Sequence, residues 1–108
     1  MKKLFIAAFM LVSSFGTNVM ADGHAIKMGI ILGFTGPIES LTPAMAGSAE
    51  LAFKEASDSG SLLGGKKIEV VRADSTCVDS AAATAAAEGV ISQGVAAIMG
   101  ADCSGVTG

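Results

Sequence analysis

Between residues 26 and 99 the chain alternates two kinds of hydrophobic pattern, and their order predicts the architecture. The run IKMGIIL at 26–32 is short, almost wholly apolar and closed by Gly33, which predicts a strand covered on both faces. The turn-rich FTGP at 34–37 follows it. From 43 to 57, Met45, Ala49, Ala52, Phe53 and Ala56 recur three and four positions apart, while Glu50, Lys54 and Asp58 fall on the other side. That spacing predicts an amphipathic helix. Turn formers fill 59–65, and KIEVVRA at 67–73 then sets Ile68 and Val70 among charged neighbours ahead of Val71, the pattern of a second strand. Asp79 or Ser80 is placed to cap a helix running to about Ser92, because AAATAAAEGVI is rich in helix formers and Gly94 stops it. VAAIM at 95–99 reads as a third buried strand.

Two successive strand–helix–strand units imply parallel pairing with right-handed crossovers. The fold class is therefore α/β, a Rossmann-like three-layer parallel sheet. Such sheets bind ligands in the crevice outside the carboxyl ends of their strands. Three loops occupy that edge: 33–42, 74–77 and 101–104. If strands two and three flank strand one, their ends stand roughly 9 to 10 Å apart.

The first 21 residues have a different pattern. Lys2 and Lys3 precede an apolar run at 4–16, and Val19, Met20 and Ala21 put small residues at the two cleavage positions, which predicts a secretory signal peptide at 1–21 with Asp22 as the mature N-terminus. The apolar run of 13 residues, broken by two serines, is short of the roughly 20 needed to span a bilayer. Removing this segment changes the composition. The 51% hydrophobic content falls, Phe34 and Phe53 are left as the only aromatic residues, and all ten acids but five of seven bases remain, a formal charge of −5. That balance excludes nucleic acid as a partner. The thin core and the stop at Gly108, where a further helix is due, lead to the expectation that 22–108 is a partial N-terminal lobe of a longer protein.

Export also decides how the two cysteines are read. In an oxidising compartment Cys77 and Cys103, each following a strand-like segment, form a disulfide rather than a metal or redox site. Closing that loop is worth roughly 3.5 kcal/mol in chain entropy. The pairing requires the flanking loops to lean over strand one until the cysteine Cα atoms are within roughly 7 Å.

Other chemistry is sparse. Gly29, Gly33 and Gly36 lack the G-x-G-x-x-G spacing, no lysine follows as in a phosphate loop, and Pro37 and Glu39 stand where phosphate needs backbone donors. A tight strand-to-helix turn accounts for these glycines. His24, the sole histidine, reads as a tail residue. Asp74, Asp79 and Asp102 fall near the strand ends, but Asp79 has a capping role, calcium-loop spacing is absent, and structural roles are expected for all three. No catalytic residue, metal site or cofactor is expected. Ser104 stands apart, following Cys103 at the predicted start of the next helix. Its hydroxyl and the first free N–H groups there suit an anion such as a carboxylate, and equally a plain helix cap.

The stretch IKMGIILGFTGPIESLTPAMAGSAELAFKEASDSGSLLGGKKIEVV, with RADSTC and IMGADCSGVTG after it, resembles the N-terminal lobe of periplasmic leucine/isoleucine/valine-binding proteins, the substrate receptors of ATP-binding cassette importers. The most specific elements are the Thr35-Gly36-Pro37 turn after a strand, the Gly65-Lys66-Lys67-Ile68 entry to strand two, and the paired cysteines with a serine after the second. The resemblance implies a two-lobed, hinge-closing receptor with Cys77 and Cys103 bonded and Ser104, beside Gly105, at the ligand carboxylate. Leu41 stands where leucine-binding members carry an aromatic residue against the ligand side chain, and ESLTPAM departs from their pattern. The implied ligand is accordingly an amino acid or related small carboxylate, and the implied partner a membrane permease. Two alternatives share the strand–helix arrangement: a flavodoxin-like or nucleotide-using enzyme domain, and a sensor domain with the receptor fold.

Overall fold

The computed structural model describes residues 24–108, so the predicted signal segment lies outside the described residues. In chain order these form β1 (Ile26–Leu32), α1 (Thr42–Asp58), a 3-10 turn (Leu63–Gly65), β2 (Ile68–Asp74), α2 (Ser80–Ser92), β3 (Ala97–Met99) and α3 (Ser104–Thr107). The sheet order is β2-β1-β3, with both pairs parallel. Ile26 is opposite Ile68 and Leu32 opposite Asp74, so β1 and β2 are paired along their full lengths, whereas β3 meets β1 only from Met28 to Ile30.

Pleating divides the residues of β1 between two helices. Ile30 and Leu32, both fully buried, pack with Ala46 of α1, and Phe34, Ala49, Phe53, Val70 and Met99 close around them. On the other face a Cβ at Gly29 would stand 2.6 Å from Val90 Cγ1 of α2 and 3.1 Å from Ile98 Cγ1. Glycine there lets α2 settle directly on the central strand. The result is an α/β Rossmann-like arrangement, a parallel sheet between helices, as the sequence pattern predicts.

The helix ends follow from local chemistry. Asp79 accepts hydrogen bonds from the N–H groups of Ala81 and Ala82 at 2.9 and 3.1 Å, which caps α2 as expected. Gly94, at φ 76°, ends the turn beyond it in the left-handed region. Pro43 sits in the first turn of α1, where its missing N–H costs nothing.

Two expectations need correction. The buried stripe of α1 is Thr42 and Ala46, with Ala49 and Phe53 half-buried below them, while Met45 and Ala52 are exposed. The spacing is right but the stripe is rotated, because the small Ala46 rather than Met45 gives the close approach that Ile30 and Leu32 need. The third strand is shorter than predicted and is not buried: Ala97 and Ile98 are exposed and Met99 is half-buried. It is one of the two edge strands, and among the described residues nothing pairs with its far edge.

The opposite outer strand is tied to α1 by charge. Arg72 donates from Nε and Nη2 to the two carboxylate oxygens of Glu50 at 2.5 and 2.8 Å, and its guanidinium lies 5.6 Å from the centre of the Phe34 ring. The hydrogen bond from Arg72 holds the Glu50 carboxyl below its ordinary range despite some desolvation. An exposed pair of this kind contributes about 1 kcal/mol at most.

Candidate functional site

All three strands run the same way, so the loops at 33–41, 75–79 and 100–103 gather at one edge of the sheet. Three ties join them pairwise. Cys77 and Cys103 form a disulfide with their Cα atoms 5.2 Å apart, linking the second loop to the third. Asp102 accepts the Gly33 N–H on both carboxylate oxygens at 3.1 and 3.0 Å, linking the third loop to the first. Asp74, the last residue of β2 at the base of the second loop, accepts from the Thr35 hydroxyl at 2.6 Å and the Thr35 N–H at 3.2 Å, linking that base to the first loop. The three acids therefore do not cluster. Asp79 caps α2, while Asp74 and Asp102 each serve a different part of the first loop.

Gly33 shows why the loops come so close. A Cβ there would lie 2.9 Å from the Cys77 Cβ, so the bridged cysteine rests directly on the residue that ends β1. Gly36 has a φ of 100° and turns against the carbonyl of Thr76, which leaves no room for a side chain. Thr76 and Cys77 take φ values of 58° and 70°, a left-handed pair of non-glycine residues that turns the second loop back over β1. The Thr76 N–H donates to Asp74 at 2.8 Å, so the same carboxylate that holds the first loop also supports this turn. Burial pushes the Asp74 carboxyl up, but hydrogen bonds from the Thr35 hydroxyl and from the backbone N–H groups of Thr76, Thr35 and Phe34 outweigh it and hold the group below its ordinary range.

The sequence singled out Ser104, Gly105 and Leu41 at this edge. Ser104 and Gly105 begin α3 and are exposed. The N-cap position belongs to Cys103, which makes no side-chain cap bond, so the capping role weighed for Ser104 is not what its hydroxyl does. A helix boundary one residue earlier than expected moves the serine from cap to first turn. Leu41 is 59% exposed and occupies the residue before α1, its N–H donating to the Ile38 carbonyl at 2.9 Å. A cavity of about 170 Å³ lies beside α2, α3 and the start of the third loop, lined by Ile31, Ala83, Ala87, Ile98, Gly100 and Val106 among others. It includes none of the three singled-out residues. Among the described residues no three His, Cys, Asp or Glu side chains come together to hold a metal ion, and no helix is long and apolar enough to cross a membrane.

The family model for periplasmic binding protein matches residues 25–108. This chain belongs to that family. No curated protein matches it. As a periplasmic binding protein the chain is a solute receptor, which takes a small-molecule ligand and works with a transporter, and its family is typically non-enzymatic.

The sequence reading missed the loop-tying parts played by Asp74 and Asp102. A signal for them was present: an N–H just past the carboxyl end of a central strand has no partner in the ladder, and an acid at the end of one neighbouring strand and another in the loop after the other are placed to supply one.

Proposed function

We propose that this periplasmic binding protein receives an amino acid or related small carboxylate outside the cytoplasm and delivers it to the membrane permease of an ATP-binding cassette importer. In this reading residues 1–21 are the cleaved signal and 22–108 are part of the N-terminal lobe. A second lobe closes over the edge where the three loops meet. Ser104 and Gly105 hold the ligand carboxylate, and Leu41 contacts the ligand side chain. The observation that carries the proposal is the exposed start of α3, set next to a disulfide and held against the end of the central strand, as a fixed wall of a binding cleft requires.

The test uses the full-length protein, titrated by calorimetry with the free amino acids and small aliphatic and aromatic carboxylates. A hydrogen bond to a charged group is worth roughly 1.5 to 3 kcal/mol, so Ser104→Ala weakens binding by about one to two powers of ten. Backbone donors survive the change, so binding falls without vanishing. Unchanged affinity in Ser104→Ala moves the carboxylate site elsewhere.

A further inference from the structure

We infer that Asp102 is a positioning residue of the ligand cleft, fixing the direction of the third loop, and with it Ser104, against the end of β1. The inference rests on the proposed reading of that edge as the cleft. The disulfide alone does not set this direction. It joins the third loop to the second at one point, and a chain held at one point pivots about the several rotatable bonds of the bridge. Asp102 supplies the second point, one residue before the bridged Cys103, by taking the Gly33 N–H on both oxygens. Gly100 supplies a third contact: at φ 135° it lies against the Ile31 carbonyl so closely that no Cβ fits. The third loop is thus pressed against Ile31 near the end of β1 and anchored at Gly33 just beyond it before it delivers Ser104.

The anchoring is matched on the first loop. Asp74 takes the N–H and hydroxyl of Thr35, so Gly33 and Thr35 are held from opposite sides of β1 by one carboxylate each. The acceptor on Asp102 also meets a local need, because the Gly33 N–H is half of an unfinished ladder. A purely structural acceptor would have only that effect. A positioning residue must in addition alter what Ser104 contributes to binding, and this separates the two roles.

The experiment takes the full-length protein and four variants, Asp102→Ala, Asp102→Asn, Ser104→Ala and the double change Asp102→Ala with Ser104→Ala. The bridge is verified by mass in each, and the probe is the amino acid that binds tightest to the parent. Asp102→Ala weakens probe binding about tenfold, and Asp102→Asn, which keeps one acceptor oxygen, by about threefold or less. In the Asp102→Ala background, Ser104→Ala costs several-fold less than it does in the parent, because a misdirected hydroxyl has little left to lose. Amide hydrogen exchange without ligand rises in both 33–42 and 100–106 for Asp102→Ala. A control, Asp79→Ala, raises exchange only at the start of α2. Strictly additive affinities, or a lower melting temperature with unchanged probe affinity and unchanged exchange at 33–42, overturn the inference and leave Asp102 a local acceptor. Ser104→Ala binding the probe as the parent does overturns the cleft reading itself, whatever Asp102 does.

Discussion

The loops at the carboxyl edge and the turn at 59–67 both connect helices to strands, yet they are held by different means. The carboxyl-edge ties join residues 26, 39 and 69 positions apart in sequence. In the 59–67 turn the bonds are local: the Ser59 and Ser61 hydroxyls meet two positions apart, and Ser57 Oγ reaches the Lys66 carbonyl and the Ile68 N–H across 9 and 11 positions. The glycines differ in the same way. At Gly33 and Gly36 a neighbouring chain fills the place of a Cβ, whereas Gly60 and Gly64 have positive φ but open space around them. One region is built to hold atoms of distant segments in register, the other only to reverse the chain.

Cutting the longest-lived tie gives the largest expected effect. Replacing both cysteines with serine in the full-length protein costs about 3.5 kcal/mol by loop-closure entropy, measured by denaturant unfolding against the oxidised parent. A loss below about 1 kcal/mol would mean that the carboxylates hold the loops without the bridge. Next comes a pair of glycine substitutions. Gly36→Ala meets both a left-handed backbone and the Thr76 carbonyl and costs about 3 kcal/mol, while Gly64→Ala meets only the backbone term and costs about 1 kcal/mol. Equal costs would erase the distinction drawn between the two regions. Asp79→Ala removes a cap that acts only on its own helix and costs about 1 kcal/mol in thermal or denaturant melts.

The smallest effect is a dependence on pH. Because the folded Asp74 carboxyl is held below its unfolded value of about 3.9, its contribution is fully present above that pH and is lost as pH falls through the folded value. Asp74→Asn is therefore less stable than the parent at neutral pH, and the two converge on acidification. Unfolding midpoints followed from about pH 6 to pH 2 check this, and a gap that stays constant removes Asp74 from the acid-sensitive groups.

Much of the fold was legible because it depends on short-range pattern. The run at 26–32 is β1 with those bounds, Asp79 caps α2, and Gly94 ends it, each set by residues within a turn of one another. The bridge between Cys77 and Cys103 was legible from compartment and placement together. The rotation of the α1 stripe was not, because Met45 and Ala46 both satisfy a helical period and only the shape of the facing strand chooses between them. Exposure of β3 was hidden for a similar reason: an apolar run says that a strand suits burial but not which neighbours flank it. At the candidate site, the acids were visible as residues and their partners were not, since Gly33 offers no side chain to signal that its N–H takes Asp102.

The bridge over Gly33 also bears on the order of folding. Its two halves arrive from opposite sides of the central strand, one after β2 and the other after β3. In this arrangement the thiols stand together across the end of β1 with both outer strands docked, so the native bridge fits the strand order β2-β1-β3. A bond closed sooner would span the berth of β1 before that strand had entered it. The covalent link that secures the mature sheet would then obstruct its assembly, and a reducing agent, by reopening the berth, would speed the recovery of chains oxidised too early.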